Sequence, residues 1–192
     1  MSAFEYAVIL WSLLLGLGVS DLILSANRLL RHSEGVKWDG RVVIASLLVL
    51  LELVRIWFAQ WTLVDFPSAL TFPAFLLLVF HIALLVFVAA AALPEETPGP
   101  IDLTAYYDRT RRYFWGLFAS AQSSYFTLWL IYFFGGLESG DGTASMLDWF
   151  RMIAPLAMYA ALAALRLRWL DWLGPLALIG FYIWLYWGQT IG

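Results

Sequence analysis

The stretch Val42–Val64 reads VVIASLLVLLELVRIWFAQWTLV, and Glu52 and Arg55 are the only charges in it. An α-helix rises about 1.5 Å per residue, so about 20 residues cross the hydrocarbon core of a bilayer. The run is long enough to do so. Five more runs of similar character flank it: Ala3–Asn27, Pro67–Leu93, Tyr113–Gly135, Met146–Leu165 and Trp169–Trp187. The sequence therefore predicts an all-α, polytopic membrane protein. It is one transmembrane domain over residues 1–192, a bundle of six membrane-crossing helices with short connections.

Composition points the same way. Of 192 residues, 62% are hydrophobic and 13% charged, about half the charge of an ordinary soluble domain. Too little charge remains to clothe a water-facing surface, so the expected partner is the lipid bilayer. The net charge of -3 and the lack of a basic patch outside short loops argue against a nucleic-acid partner. Cysteine is absent, which excludes disulfides, thiolate metal sites and cysteine nucleophiles. Met1–Tyr6 carries Glu5 and no basic residue, so the first run is expected to be a permanent helix rather than a cleaved leader.

Arginine placement gives direction. Arg28, Arg31, Lys37 and Arg41 follow the first run, Arg109, Arg111 and Arg112 precede the fourth, and Arg166 and Arg168 separate the fifth from the sixth. The intervening connections carry Glu5, Asp65, Glu138, Asp141 and Asp148, with Arg151 the exception. Basic loops stay in the cytoplasm, which places both termini on the non-cytoplasmic side. Ten of the eleven basic residues are arginine, a bias of GC-rich bacterial genomes, so a bacterial inner membrane is the expected location. Trp38, Tyr113, Trp115, Trp169 and Trp172 then fall near the inner interface, and Trp61, Phe66, Tyr132, Trp149, Tyr186 and Trp187 near the outer one, where amphipathic rings anchor.

Segment 94–112 is expected to lie at the cytoplasmic interface. Its first half, Pro94-Glu-Glu-Thr-Pro-Gly-Pro100, cannot be helical. Asp102 can cap a short helix leading into the fourth run, with Asp108 and Arg112 paired at i, i+4. The outer loop at 138–143 reads as a turn. Small residues recur every fourth position in the first run (Ser12, Gly16, Ser20) and in the fourth (Gly116, Ser120, Ser124). Such stripes let helices approach closely in lipid, and internal packing is their expected use. The same two runs head two halves of three runs each, the layout of an inverted repeat.

Four polar residues converge on mid-membrane depth: Glu52, Arg55 three residues on, His81 and Gln122. Each charge at a helix centre costs about 2.5–3.5 kcal/mol on insertion, so assembly must return something. Glu52 and Arg55 share a helical face, with Leu50, Val54, Trp57 and Trp61 opposite. Either the four residues form a hydrogen-bonded plug that fixes helix register, or they line a site for a proton, ion or small anion. Asp21, with Ser25 and Arg28 on its face, is a secondary candidate, expected to reach toward the inner interface.

No catalytic motif is present. Two histidines at different depths cannot supply paired haem ligands, and no zinc set, Walker loop or Gly-x-Ser-x-Gly elbow occurs. No cofactor is expected, and an enzyme is the least supported class. The expected function is transport or conduction of a small solute or ion through the polar cluster. The alternative is a non-catalytic scaffold or accessory subunit that binds a membrane partner protein; a homo-oligomer is the expected form of the transporter.

Overall fold

A backbone in hydrocarbon must satisfy its own N–H and C=O groups, and each apolar run accordingly becomes a helix. The computed structural model describes residues 3–59, 71–95, 99–134 and 145–187. The helices are α1 (Ala3–Arg31), α2 (Gly40–Ala59), α3 (Phe72–Ala92), α4 (Leu103–Phe134), α5 (Met146–Ala164) and α6 (Arg168–Tyr186). Residues 60–64 of the second run, 67–70 of the third, Gly135, the loop 138–143, and Trp61, Asp65 and Phe66 lie outside the described residues. Ala7–Arg31 of α1, together with α2, α3 and α5, is long and apolar enough to cross a membrane. In α4 the tyrosines, serines and charged first turns lower the mean hydropathy, as do Arg168, Asp171 and the aromatic rings in α6.

The surface matches that reading. Leu13, Leu17, Phe80, Phe87 and Ile131 all point outward, an arrangement that water would penalise and lipid does not. On α2, Val43, Leu47, Val54 and Trp57 are exposed while Ala45, Glu52, Arg55 and Ile56 are buried, so the helix has an outer and an inner face as its sequence implies.

α2 packs against α1, α3, α4 and α6, α1 also lies along α3, and α4 runs between α3 and α5. The inverted repeat does not follow: α1 pairs along the third helix of its half, whereas the main partners of α4 are α3 and α5.

At the end carrying the basic loops, the structure departs from a set of plain connectors. Val36–Lys37 (β1) and Ile101–Asp102 (β2) pair as two short parallel strands, with Val36 opposite Ile101 and Lys37 opposite Asp102. Lys37 Nζ donates to Asp102 at 2.9 Å. Asp102 Oδ1 also accepts from the backbone N–H groups of Thr104 and Ala105 at 2.9 and 3.0 Å, capping α4 as expected. The short helix and the fourth run are one continuous helix, about 48 Å long at 1.5 Å for each of its 32 residues. Asp108 does not pair with Arg112. It meets Arg41 at 3.2 Å, while Arg41 also holds Asp39 at 2.6 Å and lies over the Tyr107 ring. A charge from another element outcompetes the i, i+4 neighbour because it is partly buried and more weakly screened. Trp115 is not an interfacial anchor: it is fully buried, and its Nε1 donates to the Tyr107 hydroxyl at 3.1 Å.

The small residues fall unevenly. A Cβ on Gly16 or Gly116 would meet nothing within 4 Å, and Ser20 and Ser120 are exposed. Ser12 is half-buried and Ser124 buried. Within one chain the two stripes therefore bring no backbones together at their glycines. Close approach occurs elsewhere. A Cβ on Gly18 would lie 3.5 Å from Leu53 and 3.6 Å from Ala89, and one on Gly174 would lie 3.1 Å from Leu162. Helical spacing marks small residues, but which face is covered depends on the neighbouring helix.

Candidate functional site

Glu52 and Arg55 stand one turn apart on the inner face of α2, so the side chains meet without leaving their helix. Arg55 Nε donates to Glu52 Oε2 at 2.8 Å and Nη2 to Oε1 at 2.6 Å. The fork is bidentate, the strongest geometry available to this pair. The side chains are 2% and 5% exposed. Three tyrosines complete the surroundings: the guanidinium lies 5.0 Å from the Tyr125 ring centre and 4.9 Å from that of Tyr182, and Nη1 makes a long 3.4 Å bond to the Tyr186 hydroxyl. Cation–π contact in a desolvated site contributes up to about 2 kcal/mol, which helps hold a charge that hydrocarbon would reject. The Tyr182 and Tyr159 hydroxyls approach to 3.4 Å, and Tyr159 stacks on Phe118 with centroids 4.5 Å apart.

The pair is not sealed on every side. A crevice of about 150 Å³ reaches Arg55 between α2, α4, α5 and α6, and Gln122, Asp148, Arg151 and Tyr186 line it with Tyr125 and Tyr182. Asp148 and Arg151 belong to the first turns of α5, so the crevice runs toward the end opposite the basic loops. Arg151 Nη1 makes a long 3.4 Å contact with Asp148, and Arg151 Nε is buried with no hydrogen-bond partner among the described residues. Asp148 is held by the capping box it forms with Ser145. A second cavity, about 210 Å³, touches Arg55, Tyr182 and Tyr186 from the other side. Its remaining walls, Leu51, Val54, Phe58 and Ile183, are apolar and belong to α2 and α6.

The other expected members divide. Gln122 is buried and shares the crevice with Arg55. His81 is buried on α3, but it bonds to α4 rather than to Glu52. Its Nδ1 lies 2.8 Å from the Ala121 carbonyl and 3.1 Å from Ser124 Oγ. A carbonyl can only accept, so Nδ1 carries a proton, and Nε2 has no hydrogen-bond partner among the described residues. The Tyr125 ring lies 5.5 Å from the imidazole and also lines the crevice. Asp21 is separate, exposed on α1, and Arg28 on its face bonds Ser25 at 2.7 Å instead.

Tyr125, Tyr159, Tyr182, Tyr186, Asp148 and Arg151 complete the site, and sequence reasoning did not assign them to it. Tyr182 and Tyr186 carry a faint signal, two hydroxyl-bearing rings at i, i+4, which reads equally well as an interfacial anchor. Among the described residues no three His, Asp or Glu side chains converge as metal ligands do. No family model, curated protein or solved structure matches the chain, so the site's own geometry carries the functional argument.

Proposed function

We propose that this chain is a multi-pass protein of the bacterial inner membrane, crossing six times with both ends outside, and that it moves a small solute or ion through the Arg55 crevice. The observation that carries the reading is the crevice itself. A buried ion pair that merely fixes helix register needs no polar crevice beside it, whereas a binding site does. With the basic loops in the cytoplasm, the crevice opens to the non-cytoplasmic side, as in an outward-facing state.

Reconstituted vesicles test the reading. Protein-containing and protein-free liposomes are loaded with a pH-sensitive dye, and fluxes of protons, acetate, inorganic phosphate and oleate are followed. Flux above the protein-free level, abolished in Arg55→Gln and in Arg151→Gln, is the expected result. Equal flux in both vesicle types, with the bundle folded by circular dichroism, overturns it. Orientation has its own test because the chain has no cysteine. A membrane-impermeant maleimide should label Met146→Cys from outside intact cells and Glu34→Cys only after lysis.

The second reading, a non-catalytic scaffold or accessory subunit that binds a partner protein, is favoured by the buried, doubly bonded carboxylate of Glu52. A flux-free, folded protein would leave that reading standing.

A further inference from the structure

The polar crevice and the apolar groove share three wall residues, Arg55, Tyr182 and Tyr186. The groove lies on the outer flank between α2 and α6, where Val54 and Ile183 are about half exposed to the surrounding lipid. One opening thus faces polar surroundings, the other faces acyl chains, and a guanidinium stands at their junction. A small hydrophilic solute has no use for the second opening, and a plain hydrocarbon has none for the first.

We infer that the site takes a single-chain amphiphile with a compact carboxylate head, of the long-chain fatty acid class. The head occupies the crevice against Arg55, and the chain leaves through the α2–α6 groove into the bilayer. The inference rests on the reading of the crevice as a solute site and replaces its small solute or ion with an amphiphile whose head alone enters the crevice.

Donor and acceptor arithmetic selects the head. Arg55 spends Nε and Nη2 on Glu52; among the described residues Nη1 makes a long bond to Tyr186, and the Tyr125 hydroxyl also interacts with the guanidinium. Arg151 Nε adds a buried donor without a partner among the described residues. Asp148, the carboxylate of the lining, already accepts from Ser145 and Arg151. These unspent guanidinium N–H groups call for a ligand atom that accepts. Arg matches carboxylate and phosphate alike through its planar fork. Glu52 and Asp148 already offset the two guanidiniums, so one negative charge is better tolerated than two, which ranks a carboxylate above a phosphate monoester. The crevice has room for a carboxylate and a few waters, and a glycerophospholipid head with two chains does not fit it.

Doxyl-labelled stearate supplies the probe, with the full-length protein in phosphatidylcholine nanodiscs and immobilisation read by electron paramagnetic resonance. The expected result is saturable binding that oleate displaces and that acetate or inorganic phosphate at the same concentration does not. Arg55→Gln should weaken binding tenfold or more. Ile183→Trp, a groove-filling change on a lipid-facing surface that leaves folding intact, should weaken it to a similar degree. Displacement by acetate as readily as by oleate overturns the amphiphile and leaves a small-anion site. Saturable binding that neither variant alters places the ligand elsewhere and overturns the inference. With no saturable binding of stearate the inference falls, and with no protein-dependent flux in the vesicle assay the solute-site reading falls as well.

Discussion

Arg111 Nε lies 2.7 Å from Asp171 Oδ1, across 60 residues of sequence, and clamps the first third of α4 to the start of α6. Both side chains are buried, 9% and 6% exposed, and Arg111 Nη2 also donates to the Leu165 carbonyl at the end of α5. One guanidinium thus ties three helices together at the basic end. Removing one partner of a buried pair leaves an uncompensated charge and costs about 3–5 kcal/mol. Asp171→Asn should therefore lower the unfolding midpoint more than Arg111→Gln/Asp171→Asn together, measured by reversible unfolding in mixed micelles. Additive effects of the two changes would show that the contact is not coupled.

Glu52 and Arg55 obey the same rule at the centre of the bundle. Glu52→Gln or Arg55→Gln alone should destabilise by about 3–5 kcal/mol, and the double change should recover a large part of the loss. A double-mutant cycle in detergent checks this. The Arg55→Gln variant should also lose the cation–π contacts to Tyr125 and Tyr182, visible as a shift in tyrosine ultraviolet absorption.

Gly174 lets α6 sit close to α5. A Cβ there would meet Leu162 atoms at 3.1–3.4 Å, closer than side chains pack at ease, and Leu162 is fully buried. Gly174→Ala should destabilise by about 1–3 kcal/mol through overpacking. Combined with Leu162→Val it should cost less than the sum of the single changes. A Gly174→Ala protein as stable as wild type would show that Leu162 yields freely.

Asp39 caps the start of α2, with Oδ1 accepting from the Arg41 N–H at 2.8 Å. Burial alone pushes its carboxyl up, but the side-chain and backbone hydrogen bonds from Arg41 outweigh this and hold it below the ordinary 3.8. A lowered folded value means that the carboxylate's contribution is fully present above the unfolded value and is lost as pH falls through the folded one. The stability advantage of wild type over Asp39→Asn should thus be constant from neutral pH down to about pH 5 and shrink below pH 4. Midpoints of thermal unfolding across that range decide it, and an advantage that already fades between pH 7 and 5 would contradict the assignment.

Much of the site was visible in the residues, though not its shape. Glu52 and Arg55 share a face through a fixed local spacing, so their pairing follows from helical geometry alone. His81 is buried, yet its bond goes to the Ala121 carbonyl, because position along a helix says nothing about the azimuth at which neighbouring helices stand. Gly16 and Gly116 show the same limit: spacing identifies a smooth helix face, and only the neighbours decide whether it is covered. The six tyrosine, aspartate and arginine side chains that complete the site come from three helices whose adjacency no single run encodes.

What the sequence determined by itself is the all-α class, the helical runs and the sorting of arginines to alternate connections. Each follows from a local cost, that of exposing backbone or charge to hydrocarbon, which every residue meets in its own segment. Tertiary structure alone decided that Arg111 reaches Asp171, that Asp108 turns to Arg41, and that a polar crevice and an apolar groove converge on Arg55. Those outcomes depend on helix rotation and on which helices are neighbours. In lipid these are set by close packing and paired charges between segments, and a linear pattern carries neither.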